Sequence, residues 1–166
     1  MEPSPPSDPP PAPPSAGRSI LHPRVLGAAA LAAVIGATGW MLMVVTTNYE
    51  IGFAAVGLGI LSAFLVGEAS GGRRSFGLVA LALVSFVAAL AIGKYGAFAY
   101  FLHQEAEDQF GAEVASHFGY LSSDTWAVFR DDPGAVFGGF DLLWIGIGAL
   151  SIWRRLAPTV ATHPQT

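Results

Sequence analysis

Cysteine is missing from all 166 residues, and charge is scarce, with only 12% of the chain Asp, Glu, Lys or Arg. The first absence excludes disulfides, thiolate nucleophiles and cysteine-ligated zinc or iron–sulfur centres. The second leaves about half the charge of an ordinary water-soluble chain. Lysine occurs once, at Lys94, and asparagine once, at Asn48, against seven arginines. That bias points to a GC-rich bacterial genome. Also missing are a nucleophile elbow, a phosphate loop, paired carboxylates within one apolar run and a basic nucleic-acid patch. The chain is therefore expected to be no enzyme, to hold no cofactor or metal, and to bind no nucleic acid.

What fills the chain instead is apolar sequence, 52% of residues. Four runs stand out: Val25 to Val45, Ile51 to Gly67, Phe76 to Gly93 and Val136 to Trp153. Each is long enough to carry a helix across about 30 Å of hydrocarbon. Backbone amides in lipid must bond within their own segment, so such runs must be helical. The pattern predicts an all-α membrane protein, a four-helix transmembrane bundle with spans at about 25–45, 51–67, 76–102 and 133–156. The third span is carried past the apolar run because Lys94, Tyr95 and Tyr100 to Leu102 read as an aromatic belt. The first is read as a retained span. Its leader is long and proline-rich, and Thr46-Thr47-Asn48-Tyr49 offers no small-x-small cleavage site.

Charge sets the orientation. Arg18 and Arg24 precede the first span, Arg73 and Arg74 separate the second from the third, and Arg154 and Arg155 follow the fourth. The opposite flanks hold only Arg130, among Glu50, Glu105, Glu107, Asp108, Glu113, Asp124, Asp131 and Asp132. The positive-inside rule then puts both termini in the cytoplasm, in a bacterial inner membrane. Three or five spans would split these arginines across the bilayer.

Residues 1–20 form a tail crowded with Pro3, Pro5, Pro6, Pro9, Pro10, Pro11, Pro13 and Pro14. It has too little apolar surface to offset its ordering entropy and is expected to be disordered and cytoplasmic. Residues 157–166 make a second short tail, leaving 21–156 as the membrane domain. The one sizeable extramembrane segment is 103–132, where Phe110, Val114, Phe118 and Leu121 recur at helical spacing. They predict an amphipathic helix on the outer surface, packed on the protein. Asp132 and Pro133 read as N-cap and first residue of the fourth helix.

Helices in lipid gain little from burying apolar surface against each other, so close backbone approach matters. The second span has small residues every four positions, Ala55, Gly59, Ala63 and Gly67; the third has Ser85, Ala89, Gly93 and Ala97; the first offers Ala28, Ala32 and Gly36. These stripes are expected to be packing seams.

Two charges fall at membrane level, Asp141 and Lys94. Asp141 lies five residues inside the fourth apolar run, where a carboxylate is costly and faces protein or water. With Phe76 and Trp153 level, Lys94 stands about 9 Å higher than Asp141 at 1.5 Å per residue. Lysine also snorkels outward. Depth therefore disfavours a direct pair, though helix tilt would close part of the gap. The alternatives are a snorkelling Lys94 with Asp141 bonded inside the bundle, or a cation or proton site at Asp141. Glu68 is expected to pair locally at the surface, and His103 and His117 to be solvated, without the spacing of a metal-binding helix.

The stretch from Gly71-Gly72-Arg73-Arg74 through Phe76 to Tyr100, with Phe140-Asp141-Leu142-Leu143-Trp144 and the closing Trp153-Arg154-Arg155, resembles small uncharacterised bacterial four-transmembrane-helix proteins. The resemblance implies membrane residence. The leading expectation for function is a non-enzymatic structural or assembly partner, in contact with the lipid bilayer and with other membrane proteins or copies of itself. The alternative is a small transporter or channel component that uses Asp141.

Overall fold

The computed structural model describes residues 22–131, 134 and 138–159, and every regular element among them is helical. The helices are α1 (Pro23–Thr47), α2 (Phe53–Ala69), α3 (Phe76–Phe110), α4 (Ala112–Ala115), α5 (Ser123–Asp131) and α6 (Gly139–Leu156). Three sequence-based expectations fall outside the described residues: the disordered 1–20 tail, most of the closing tail, and the Asp132-Pro133 cap.

Local chemistry fixes the breaks. The His22 side chain accepts the Arg24 amide and Pro23 supplies the first position of α1. Asn48 closes that helix in the left-handed region, φ 55°, returning its N–H to the Val44 carbonyl. After α2, Gly71 and Gly72 both hold φ 73°, a turn that any side chain would strain. Ser75 Oγ then accepts the Leu78 amide and starts α3. With such short connections α1, α2 and α3 run alternately up, down and up, and α6 runs down beside α2. Arg24, Arg73, Arg74, Arg154 and Arg155 thereby collect at one end.

The long third helix departs from expectation. It does not stop near Leu102 but continues to Phe110, 35 residues or about 52 Å. No glycine or proline intervenes after Gly96, and Ala106 is buried, so the helix persists until Gly111 breaks it at φ 85°. That glycine also overturns the amphipathic helix expected through Phe110, Val114, Phe118 and Leu121. Phe110 and Leu121 stand exposed, and the segment docks through other residues. Thr125 is buried, and Trp126 and Phe129 set their rings against Tyr95, with Phe98 closing the cluster. Tyr95 Oη and His103 Nδ1 meet the Tyr120 and Phe118 carbonyls at 2.9 and 3.2 Å, so His103 is not the solvated residue expected.

Small residues make the two main seams. α1 lies on α3, where Cβ atoms added at Gly36 and Gly93 would stand 2.9 Å from Ala89 Cβ and 2.8 Å from Trp40 Cβ. Ser85 Oγ donates to the Ala29 carbonyl across this seam at 2.6 Å. α2 lies on α6, and a Cβ at Gly59 would come within 2.6 Å of the Gly148 carbonyl oxygen. All eight residues of the second and third stripes are buried: Ala55, Gly59, Ala63 and Gly67, and Ser85, Ala89, Gly93 and Ala97. Gly148, their counterpart on α6, carries no such repeat and went unnoticed in the sequence. Ala28 of the first helix is only half-buried; Val25, Ala29, Ala32, Gly36 and Trp40 form that helix's packed face instead.

α1 has 25 residues and α3 has 35, and the apolar stretches within them, with mean hydropathies of 2.0 and 2.5, are long enough for each helix to cross a membrane. α2 is apolar but has 17 residues, and α6 includes Asp141, Arg154 and Arg155 among its 18. Outside the core, Leu31, Val34, Leu42, Ile60, Val84 and Ile92 all point away from the bundle.

Candidate functional site

At the end opposite the arginines, three charged groups from three parts of the chain converge. Lys94 Nζ lies 2.7 Å from Glu50 Oε2 and 2.9 Å from Asp141 Oδ2. The lysine side chain is fully enclosed, whereas Asp141 keeps 15% and Glu50 46% of its side-chain surface. An ammonium taken from water needs such partners, and charge-assisted bonds at these distances are the strong kind. The Trp40 ring adds a face 5.8 Å from the same Nζ.

Each side chain arrives by a separate route. Glu50 sits in the connection between α1 and α2, which the Asn48 cap turns over the bundle. Lys94 occupies the buried face of α3, directly after Gly93, whose lack of a side chain lets α1 close in. Asp141 is third in α6, behind the N-cap Gly138. Asp141, at the third position, reaches back over the helix start, and its Oδ2 accepts the Gly138 N–H at 2.8 Å. A carboxylate in the first turn also faces the positive end of the helix dipole.

Two sequence-based readings are corrected here. Asp141 is a first-turn residue rather than one five residues deep, because the described helix begins at Gly139. Lys94 does not snorkel outward; it is buried and paired with Asp141 after all. Glu50 was the residue missed, counted only as one acid of the outer flank. Its signal is its position: it is the sole charged group in the tight turn between the first two apolar runs.

The cluster borders open space. Trp40, Glu50, Gly52, Phe140, Asp141 and Trp144 line a cleft of about 420 Å³, and a second of about 250 Å³ lies across Glu50 and Lys94, beside Asn48 and Phe98. Trp144 packs so tightly that a Cβ on Gly52 would overlap its indole at 2.1 Å. Beneath the cluster Phe86, Val66 and Ile152 are wholly buried. Chemically the arrangement is one cation between two carboxylates, a net negative group half-open to solvent on the Glu50 side. Among the described residues no three His, Asp or Glu side chains come together as metal ligands.

The opposite end is built on arginine. Arg155 reaches Glu68 at 3.2 Å, a surface pairing as expected of Glu68, and lies 5.2 Å above the Phe64 ring. The Ser75 amide donates to the Leu156 carbonyl at 3.0 Å, which levels the start of α3 with the end of α6. No protein-family model, curated protein or solved structure matches this chain.

Proposed function

We propose that the chain is a four-span integral protein of a bacterial cytoplasmic membrane, both termini inside, acting as a non-enzymatic structural or assembly partner. Support for the lipid setting comes from the outward-pointing Leu31, Val34, Ile60, Val84 and Ile92 on helices that are apolar all round. Arginines gathered at one end, against acids at the other, support the orientation.

The observation that carries the structural role is the enclosed Lys94 between Glu50 and Asp141. It ties the first hairpin, α3 and α6 together, so it acts as a clasp that specifies how the helices assemble. A transport reading has one observation in its favour: Asp141 and Glu50 both line the larger cleft. Purified chain in sealed liposomes separates the two. The structural reading expects proton and monovalent-cation flux no higher than in empty vesicles, and equal for wild type and Asp141→Asn. Flux that Asp141→Asn abolishes would replace it with transport. Reporter fusions test the topology, with both termini expected inside.

A further inference from the structure

The arginines do more than mark one end of the bundle. Gly67 and Glu68 at the close of α2, Gly72, Arg73 and Arg74 in the turn, and Arg155 near the close of α6 line a cleft of about 160 Å³. Two bonds build it: Ser75 N–H to the Leu156 carbonyl joins the turn to α6, and Gly72 N–H to the Gly67 carbonyl, made by the paired left-handed glycines, folds the turn back on α2. At about 30 Å³ per water, the space holds roughly five waters, room for a group of five heavy atoms. Three guanidinium groups against the single Glu68 carboxylate leave the walls net positive. Guanidinium forks match phosphate oxygens bidentately. Beside this charge lies an apolar collar: Phe76 and Trp153 are in ring contact at 5.7 Å, yet both remain exposed.

Charge in a cleft and an uncovered aromatic pair alongside describe the two halves of an amphiphile. We propose that this cleft is a phosphate-binding site for the headgroup of an anionic phospholipid, whose acyl chains lie on Phe76 and Trp153. The inference rests on the membrane reading above. A net positive site favours a headgroup whose phosphate is not offset by an ammonium, so phosphatidylglycerol should be held and phosphatidylcholine released.

The test is native mass spectrometry of the full chain, extracted from membranes in detergent and offered phosphatidylglycerol, phosphatidylcholine or inorganic phosphate. The expected result is selective retention of phosphatidylglycerol. In R74Q/R155Q that retention should fall tenfold or more, at roughly fivefold per arginine. In R24Q/R154Q, which removes equal charge at the same end from residues outside the cleft, it should fall little. Equal loss in both variants, or no preference over phosphatidylcholine, would overturn the site. Binding of inorganic phosphate with no preference for lipid would instead assign the cleft to a soluble phosphate ester and overturn the headgroup proposal. Recovery of the chain from the soluble fraction without detergent would sink the membrane reading itself, a separate failure.

Discussion

Replacing Lys94 by methionine should destabilise the bundle more than any other single change in its charged cluster. Methionine fills much the same volume, so the loss is one of charge. Glu50 Oε2 and Asp141 Oδ2 lie 2.7 and 2.9 Å from one nitrogen, so without it two carboxylates face each other across about 5 Å. At an effective dielectric constant of about 20 that repulsion is roughly 3 kcal/mol. Glu50 is half-exposed and able to swing toward water, while Asp141 is largely enclosed and held by the Gly138 N–H. A net loss of about 2–4 kcal/mol follows, or about 4–16 °C in midpoint for a chain of this size. Asp141→Asn keeps an oxygen for both donors and should cost about 1–2 kcal/mol. Glu50→Gln, at the exposed edge, should cost less than about 1 kcal/mol. The decisive variant is the double Lys94→Met/Asp141→Asn. Removing one of two facing carboxylates should make it more stable than Lys94→Met alone, a non-additive recovery. Thermal unfolding in detergent, followed by loss of monodisperse protein, measures all four. A double variant weaker than Lys94→Met would refute the electrostatic reasoning.

Gly59→Leu should prevent bundle assembly, and even Gly59→Ala should cost about 1–3 kcal/mol, because its Cβ meets the Gly148 backbone at 2.6 Å, which cannot turn aside. Gly57→Ala, two residues away with nothing within 4 Å, should leave stability unchanged or raise it by about 0.5–1 kcal/mol; yield and midpoint in detergent distinguish the pair. Ser85→Ala removes the 2.6 Å bond to the Ala29 carbonyl and should lower stability by about 0.5–1.5 kcal/mol in the same assay. Glu68→Gln should shift the midpoint hardly at all, since both partners of its 3.2 Å bridge to Arg155 are substantially exposed.

Periodicity and composition made the helices legible, and small residues at four-residue spacing made two seams legible, because both signals are local. What escaped notice depended on partners distant in sequence. Gly148 belongs to no repeat on its own helix; its glycine is required only because Gly59 approaches it from α2. The expected amphipathic helix through Phe110 and Leu121 failed for a more local reason. Its apolar spacing was real, but Gly111 sits within it at a backbone angle that stops α3.

The clasp shows where a depth estimate goes astray. Levelling Phe76 with Trp153 put Lys94 about 9 Å above Asp141, yet the Ser75 to Leu156 bond levels the helices three residues further along α6. That change alone reduces the separation to about 6 Å. Side-chain direction supplies the rest. In a helix the Cα–Cβ bond leans toward the N-terminus. α3 begins at the arginine end, so the Lys94 stem leans down toward the bundle interior; α6 begins at the opposite end, so Asp141 leans up to meet it. Snorkelling would require the lysine to reach against its own helix direction and leave Asp141 facing Trp40 and Trp144 without a counter-charge. For two antiparallel helices, then, a cation and an anion offset by about a turn converge when each sits nearer its own helix's C-terminal side of the gap, and diverge when the offset is reversed. Moving the lysine one turn down α3, as Lys94→Leu with Leu90→Lys, removes the offset of about 6 Å and leaves the lysine stem leaning down, away from Asp141. It should lower the unfolding midpoint at least as far as Lys94→Met does, and a midpoint equal to wild type would show that helix direction plays no part in forming the pair.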